Sequence, residues 1–411
     1  MKILHTSDWH LGKRLEQFSR LEEQKEVLAE ICAIADAEAI DAVIIAGDLF
    51  DTLNPPTFAL ELFYGTMKKL ANNGQRAVLA IAGNHDSPDR IEAPEPLARE
   101  CGIIFCGYPN SKITPFVLET GLAILKSDHG FLEVKLPNQS VPLRILCTPY
   151  ANEARLKTYL GAENSEAELR KILQEGWQAL ATEYCDENGV NLLATHLFVV
   201  NKAAKLSEDL LEPEDEKPIL YVGGSQVVYS ENIPKEIQYT ALGHMHCKQV
   251  MQNSKNTLAY AGSPLAFSMN ETNQKKYVLI TEIEPGKQAV IKEIELTKGK
   301  KLVKKRFEDV AEAVNWLREN PETLVELTMV TDTFLTAAER KQILSAHSGI
   351  VAIIPEVKDA ANVNAAKKEI DLEKSISDLF VDYFRYSQNG QEPNQALLDL
   401  FQEVLAAEQE L

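Results

Sequence analysis

The stretch KILHTSDWHLG, residues 2–12, joins a strand-like segment to polar residues, a pattern that recurs along the chain. Most of its first positions suit a β-strand, and Asp8, Trp9 and His10 follow at once. Residues i and i+2 of an extended segment point to the same side. We therefore expect the carboxylate of Asp8 and the imidazole of His10 to converge on one point at the mouth of this strand.

Similar apolar runs recur along the next hundred residues: AVIIAG (42–47), AVLAIAG (77–83) and GIIFCG (102–107). Apolar residues at a helical period fill 21–39 and 57–72 between them. Strand, helix, strand, helix, strand predicts a layered α/β domain whose first strands pair in parallel.

Composition limits the kinds of protein this chain can be. The 411 residues include 42 Lys and Arg against 61 Asp and Glu, a net charge of −19. That balance argues against wholesale electrostatic binding of nucleic acid, but it leaves room for a local basic groove, a metal-bridged phosphate contact or a basic partner. The 6 cysteines form no CxxC pair and suit the reduced cytoplasm. No secretory signal or membrane segment is expected.

Domain boundaries are predicted from changes in residue composition and hydrophobic pattern along the chain. Residues 1–285 read as the first domain, interrupted by an acidic insertion at 201–217. Residues 286–355 read as a small α/β unit, and 356–370 as a polar linker. The segment 371–411 carries two amphipathic helical stripes.

Five polar clusters follow apolar runs at their predicted carboxyl ends, where open α/β sheets place ligands. The candidate ligands in them are Asp8, His10, Asp48, Asn84, His196, His244 and His246. Gly47, Gly83 and Gly243 directly precede three of the clusters, and glycine lets the backbone turn sharply beside a ligand. One such residue alone would be read as a loop residue or a helix cap, but five clusters together favour a metal site.

The donor set is oxygen and imidazole nitrogen without thiolate, which suits a pair of Mn²⁺, Fe²⁺ or Zn²⁺ ions. Two ions roughly 3.5–4 Å apart need a bridging carboxylate. We expect Asp48 to be the bridge because its strand lies between the flanking clusters. Cys247 follows His246 directly and is expected to point to the opposite side.

The motifs HTSDWHLG, AGDLFDTLNPP, AGNHDS, THLFV, ALGHMH and YAGSPLAFSMNE resemble the calcineurin-type metallophosphoesterases. Within that family they are most similar to the bacterial nuclease subunits that act with an SbcC-type ATPase. The resemblance covers 1–285 nearly end to end and is weaker beyond. It implies a layered β-sandwich flanked by helices, a small α/β capping domain and a C-terminal helical segment that binds the ATPase.

The resemblance also implies roles for single residues. One metal would be held by Asp8, His10, Asp48 and His246, and the other by Asp48, Asn84, His196 and His244. The family's usual metal is manganese. His85 would be the catalytic histidine, close to the scissile phosphate.

Asp51 departs from the archaeal and eukaryotic relatives, which carry a histidine there. An acid at this position can accept the proton of His85 and fix its tautomer, so we count Asp51 with the catalytic residues. The alternative is that Asp51 is a turn residue that caps the following segment. Asp86 is expected to bond backbone amides of its own turn, and Trp9 to serve in packing.

The implied function is a two-metal DNA phosphodiesterase, an exo- and endonuclease that processes DNA ends and hairpins in repair, recombination and replication. The implied partners are an SbcC-type ATPase in a heterotetramer, double-stranded DNA and a second copy of the chain, in the cytoplasm at the nucleoid. One alternative is a phosphomonoesterase, such as a nucleotidase or a protein phosphatase, and another is a non-catalytic scaffold.

Two segments have open interpretations. The run KGKKLVKKR (298–306) either contacts DNA phosphates or forms a solvated edge strand whose lysines discourage aggregation. The C-terminal helices are too short to be stable alone in water, so they dock either on the coiled coil of the ATPase or on their own chain.

Overall fold

The computed structural model describes residues 1–160, 165–202, 227–253, 256–331, 335–357, 376–387, 393, 397–398 and 401. The acidic insertion beyond Lys202, the linker from 358 onward and most of the C-terminal segment lie outside these residues. No helix of the described parts is long and apolar enough to cross a membrane.

The strands of the first half of the chain begin directly after Met1. They are β1 (Lys2–Thr6), β2 (Arg14–Leu15), β3 (Phe18–Ser19), β4 (Ala42–Ala46), β5 (Ala77–Ile81), β6 (Ile103–Cys106), β7 (Ala123–Asp128), β8 (Phe131–Lys135), β9 (Leu143–Thr148) and β10 (Val190–His196). Further along are β11 (Val199–Val200), β12 (Val228–Tyr229), β13 (Tyr239–Gly243), β14 (Gln249–Asn253), β15 (Asn256–Tyr260), β16 (Tyr277–Glu282), β17 (Val290–Glu295), β18 (Lys301–Phe307), β19 (Thr323–Thr331) and β20 (Ile350–Val357).

The helices alternate with the strands at both ends of the described chain. They are α1 (Leu21–Ala37), α2 (Thr57–Ala71), α3 (Pro88–Glu92), α4 (Glu95–Ala98), α5 (Glu153–Leu156), α6 (Ser165–Tyr184), α7 (Val310–Glu319), α8 (Ala337–Ala346) and α9 (Ile376–Ser387).

Two large sheets form the body of the fold. The first has the order β17-β16-β1-β4-β5-β6, and the second has the order β14-β15-β13-β10-β9-β8-β7. β1, β4, β5 and β6 pair in parallel, as the alternation of strands and helices predicted. β9, β10, β13 and β15 are also parallel. Both sheets therefore present the carboxyl ends of several strands at one edge.

The two sheets pack face to face over a shared apolar core. That core takes Ile44 and Leu79 from the first sheet and Leu192 and Tyr239 from the second. β4 is buried along its whole length, which explains why its sequence is a continuous apolar run rather than an alternating one.

Helices cover the outer faces of both sheets. α1 and α2 pack on the first sheet in one cluster that includes Val27, Phe63 and Met67. α6 covers the second sheet through Leu173 and Trp177. The predicted β-sandwich flanked by helices is thus confirmed, and its helices leave the strand ends free to carry polar groups.

The segment after residue 285 divides differently from the predicted pattern. The small unit was expected to begin at residue 286, but β17 completes the first sheet by pairing antiparallel with β16. The chain then turns at Gly299, whose φ is +96°, and β18 starts a separate three-stranded sheet in the order β18-β19-β20. Strand pairing therefore extends the first sheet about ten residues beyond the expected boundary, because β17 has a ready partner in β16.

The three-stranded sheet and α7 and α8 make up the small α/β unit. Its Leu302, Leu324 and Val351 pack against Leu15 of β2. Gln17 adds a hydrogen bond from its side-chain amide to the carbonyl oxygen of Ile350, 3.1 Å away. The loop that follows His10 therefore supports this sheet.

Residue contacts divide the chain into two units. The first comprises Met1–Met329 and Thr336–Ile354, and so holds both large sheets and most of the small one. The second comprises Val330–Leu335 and Pro355–Leu411. Within the second unit, the ring of Phe380 in α9 stacks on that of Phe401 with centroids 4.0 Å apart, so the two predicted apolar stripes meet there.

Candidate metal centre

The predicted ligands come from strand ends of both large sheets. Asp8, Asp48 and Asn84 follow β1, β4 and β5, while His196 ends β10 and His244 follows β13. The two sheets are joined at this edge by a bond between Nδ1 of His196 and the carbonyl oxygen of Ala46, 2.8 Å apart. Most of these side chains are almost inaccessible to water: Asp8, His10, Asp48, His196, His244 and His246 are between 0% and 4% exposed.

The backbone at these residues is not extended, so the geometric reason offered for the convergence of Asp8 and His10 is wrong. Asp8, His10 and Asp48 have φ of 54°, 43° and 47°, in the left-handed region. The amide of Asp8 donates to the carbonyl of Gly47 at 3.0 Å, and that of His10 to the carbonyl of Asp48 at 3.0 Å. Cross-loop pairing holds these strained conformations, which are typical of functional sites.

The three glycines before the clusters are needed for close approach. A Cβ on Gly47 would lie 2.2 Å from Nδ1 of His196, and one on Gly83 would lie 2.0 Å from Oδ1 of Asp48. A Cβ on Gly243 would lie 1.7 Å from the carbonyl oxygen of Ala46. The expectation that glycine makes room beside the ligands is confirmed, although only Gly47 of the three has a positive φ.

One group of donors forms around His10. Its Nε2 lies 3.0 Å from Nε2 of His246. Ligand atoms of Asp8, His10 and His246 all lie within 4.8 Å of one another. Oδ1 of Asp8 accepts from the amide of His244 at 3.0 Å, while its Oδ2 is buried and has no hydrogen-bond partner among the described residues. Such an orphaned oxygen beside two imidazole nitrogens is what a cation would satisfy.

A second group forms around Asn84. Its Oδ1 lies 2.9 Å from Nε2 of His196 and 3.1 Å from Nδ1 of His244. Because Asn84 follows β5 of the first sheet and both histidines belong to the second, this group exists only when the sheets are docked.

Asp48 lies between the two groups. Its Oδ2 is 3.7 Å from Nε2 of His10 and 3.3 Å from Nε2 of His196. This same oxygen is buried without a hydrogen-bond partner in the described structure, whereas Oδ1 accepts from the amide of His85 at 2.9 Å. One oxygen facing both groups fits a carboxylate that bridges two cations.

The buried ionisable groups at the centre shift one another's pKa values. Burial raises the pKa of Asp8. Burial acts on Asp48 in the same sense, but His196, His85 and His10 together hold its pKa below the usual range. Burial opposes protonation of His196, yet the charge of Asp48 raises its pKa to about 9. Neutral imidazoles and carboxylates in a dry cavity thus attract positive charge, whether protons or metal ions.

His85 is half-buried, and its ring lies beside that of His10 in the first group, with the ring centroids 4.9 Å apart. Its Nδ1 is 2.9 Å from the carbonyl oxygen of Asp51. The expected tautomer-fixing contact thus comes in part from the main chain of Asp51. The carboxylate of Asp51 is 3.6 Å from Nζ of Lys13 and 4.0 Å from Nδ1 of His10.

Trp9 takes the packing role expected of it, whereas Asp86 bonds an amide of its own turn and also two amides of the loop after β4. The carboxylate of Asp86 accepts from the amides of Gly83, Leu49 and Phe50 at 2.8–3.0 Å. Burial raises the pKa of Asp86 to about 6, although these amides oppose the rise. Trp9 is fully buried, donates to Oγ1 of Thr6 at 3.0 Å and packs on the Phe63 ring.

Two supporting residues were not recognised in the sequence. Oε1 of Glu271 lies 3.5 Å from Nδ1 of His246, and its carboxylate pairs with Lys276. Nζ of Lys276 donates to the carbonyl of His246 at 3.0 Å. Ser268 and Glu271 form a capping box, which the SMNE pattern signals, but nothing near Lys276 marks it as a partner of His246.

Comparison with known proteins gives the family context of this centre. The sequence profile described as calcineurin-like phosphoesterase matches residues 1–247, which contain every candidate metal ligand described above.

Curated relatives extend the likeness to the whole chain. The D subunit of the SbcCD nuclease from Bacillus subtilis is 33% identical over 100% of this chain and 99% of its own length. The proteins of the same name from Rhodobacter capsulatus and Escherichia coli are 29% and 26% identical. They cover 70% and 83% of this chain, and 67% and 81% of their own lengths.

Proposed function

Because the chain belongs to the calcineurin-like phosphoesterase family, we propose that it is the two-metal DNA phosphodiesterase of an SbcCD-type complex. The observation that carries this proposal is the buried Oδ2 of Asp48, which faces His10 on one side and His196 on the other. The relatives are named nucleases, which favours the nuclease over the phosphomonoesterase alternative.

Asp8, His10, Asp48 and His246 would hold one divalent ion, and Asp48, Asn84, His196 and His244 the other. We propose Mn²⁺ as the native metal, since carboxylate, amide and imidazole donors accept it. When bound, two such ions would neutralise charge on the phosphate oxygens and would lower the pKa of a water toward ~7. The chain supplies the fixed donor geometry and buries the donor side chains.

His85 is assigned to the leaving group. The carbonyl oxygen of Asp51 accepts a hydrogen bond from Nδ1 of His85 and leaves Nε2 to face the substrate. In its protonated form, the imidazole can pass the Nε2 proton to the leaving 3′-oxygen. The carboxylate of Asp51 stabilises positive charge nearby through Lys13 and His10.

β18 is the proposed contact for the DNA backbone. It is an edge strand, and its Lys301, Lys304, Lys305 and Arg306 are exposed. Lys304 and Lys305 line a groove of 410 Å³ together with Asn270 and Asn273. The turn that carries these asparagines also carries Glu271, whose Oε1 lies 3.5 Å from Nδ1 of His246. Lys304 lies 3.3 Å from Glu326, an ion pair that a phosphate would have to share.

The partner is an SbcC-type ATPase, and we propose that residues 371–411 dock on it. Homodimerisation and association with the nucleoid are part of the same proposal, since a heterotetramer needs two copies and the substrate is chromosomal DNA. Deleting 371–411 should leave a folded manganese-dependent nuclease that no longer co-elutes with the ATPase. Normal co-elution would remove the segment from the interface.

The function is tested with full-length protein on end-labelled linear and hairpin duplexes and on a small phosphomonoester, all with manganese. We expect cleavage of the DNA substrates, its loss on chelation of the metal and stimulation by the ATPase with ATP. Hydrolysis of the phosphomonoester alone would overturn the proposal.

A further inference from the structure

The loop that carries Asn84 and His85 is held by two buried groups of opposite charge. The carboxylate of Asp86 accepts hydrogen bonds from backbone amides, as described above. The guanidinium of Arg155 donates hydrogen bonds to backbone carbonyl oxygens. The acceptors are those of Gly83 at 2.7 Å, Asp86 at 2.8 Å and Asn84 at 3.4 Å. The main chain on both sides of His85 is therefore fixed by one side chain.

Arg155 reaches this loop from the other half of the sandwich. It lies in α5, which follows β9 of the second sheet, and Asn152 caps that helix by accepting from the amide of Arg155 at 2.9 Å. The side chain is 9% exposed in total and lies against the ring of Tyr150. The amide of Tyr150 donates to the carbonyl of Ala82 at 2.9 Å, a second link to the same loop.

We propose that Arg155 is a positioning residue for the reaction, acting through Asn84 and His85. This inference rests on the proposed function. A guanidinium offers five donors in a rigid fork, so it can hold several carbonyls in one fixed arrangement. Without the guanidinium, these buried carbonyls would lose their hydrogen-bond donors. We then expect the loop to shift until water can bond them. A shift of about 1 Å in a catalytic group can cost 10²-fold in rate.

The chain contains a matched control for this experiment. Arg76 is 5% exposed and donates to three carbonyls, those of Ile40 at 2.9 Å, Leu70 at 3.0 Å and Ala35 at 3.1 Å. These bonds brace the ends of α1 and α2, at the amino ends of β4 and β5 and so at the opposite end of the strands from the metal centre. R76M therefore removes the same kind of interaction without touching the loop.

We would compare R155M, R155K and R76M in the full-length protein, measuring melting temperature, manganese content after dialysis and kcat and KM on DNA. R155M should lower kcat by about 10²-fold, with KM less affected, and should reduce manganese content, since Asn84 shifts with the loop. R155K should recover part of kcat. R76M should lower the melting temperature while kcat per folded molecule stays unchanged. Equal losses of kcat in R155M and R76M would overturn the inference.

A double-mutant cycle with H85Q separates positioning from general destabilisation. If Arg155 acts through His85, R155M should cost much less kcat in the H85Q background than in the wild type. The same cost in both backgrounds would overturn the inference. If the wild type proves to hydrolyse phosphomonoesters rather than DNA, the proposed function fails, and the same comparison on that substrate still decides the role of Arg155.

Discussion

The metal centre and the basic strand β18 both concentrate charge, but they do so in opposite environments. At the centre, Asp8, His10 and Asp48 are fully buried, and their charges lie against one another. On β18, Lys304 and Lys305 are exposed to water; one pairs with Glu326 and the other lies over the Trp316 ring. The first site is built by the fold, whereas the second is carried on its surface.

The difference predicts how much each region tolerates substitution. Charges in a dry cavity interact strongly, so removing one leaves its partners uncompensated. Charges on an exposed strand are screened by water and salt, and each contributes little alone. The loss of activity on substitution should therefore be largest at Asp48 and smallest on β18.

Asp48→Ala should have the largest effect. Both groups of donors lose the oxygen they share, so activity should fall to background and at least one metal should be lost, as measured by elemental analysis. Asp41→Ala, at the other end of the same strand, is the control and should keep both metals. Full occupancy of two metals in D48A would contradict the bridging assignment.

His85→Gln should come next. General acid catalysis contributes typically 10²–10⁴-fold, and we expect kcat on DNA to fall within that range. Metal content should stay intact, because His85 is assigned to the substrate. His129→Gln, on an exposed histidine, should match the wild type. A parallel loss of manganese would place His85 among the ligands instead.

Glu271→Gln should have an intermediate effect, because Glu271 reaches the metal only through His246. Substitutions of such supporting groups cost about 10–100-fold in metal affinity or activity. Glu133→Gln, another buried glutamate in an ion pair, is the control and should leave manganese affinity unchanged. Manganese titration monitored by calorimetry measures both variants, and equal affinities in E271Q and wild type would remove Glu271 from the support of His246.

The same glutamate predicts a difference in acid stability. Burial opposes its ionisation, but Lys276 and His246 lower the pKa of Glu271 from 4.5 to about 2. A lowered carboxyl pKa adds stability that is present above about pH 4.5 and is lost as pH falls toward 2. Thermal melts across that window should therefore show a steeper loss for the metal-free wild type than for metal-free E271Q. Parallel curves would mean that the Lys276 pair does not stabilise the fold.

Charge reversal of Lys304 and Lys305 together should have the smallest effect on chemistry. We expect weaker DNA binding and a salt dependence reduced by about one unit of slope for each lost phosphate contact. Hydrolysis of a small chromogenic phosphodiester should be unchanged. Reversal of Lys25 and Lys112 alters net charge equally at other surfaces and serves as the control. An unaltered slope in K304E/K305E would leave β18 as a solvated edge strand.

The predictable parts of this protein are those that depend on local pattern. The apolar runs before Asp8, Asp48 and Asn84 predicted parallel strands, and the polar residues after them predicted a site at the strand ends. The structure brings these residues together because parallel strands of one sheet end at a common edge, and their role as metal ligands stays a prediction. The sequence pattern located the donors without any knowledge of their backbone conformation, and the extended geometry assumed for Asp8 and His10 was wrong.

Other features could not be read from the sequence because they join distant segments. The strand β17 looked like part of the small domain, and only its pairing with β16 assigns it to the first sheet. Lys276 and Arg155 look like ordinary charged residues in their own segments. Their roles appear only when the fold brings them against the carbonyls of His246 and Gly83.

Which donors this protein has follows from residue type, because an oxygen and imidazole set can be recognised in the sequence, and their position at strand ends follows from the apolar runs before them. Their convergence depends on the tertiary fold. His196 and His244 come from one sheet and Asn84 from the other, and Asp48 faces both groups through a single oxygen. The physical reason is that burial of the apolar faces docks the two sheets, and this docking, rather than any attraction among the ligands, holds the buried charges together.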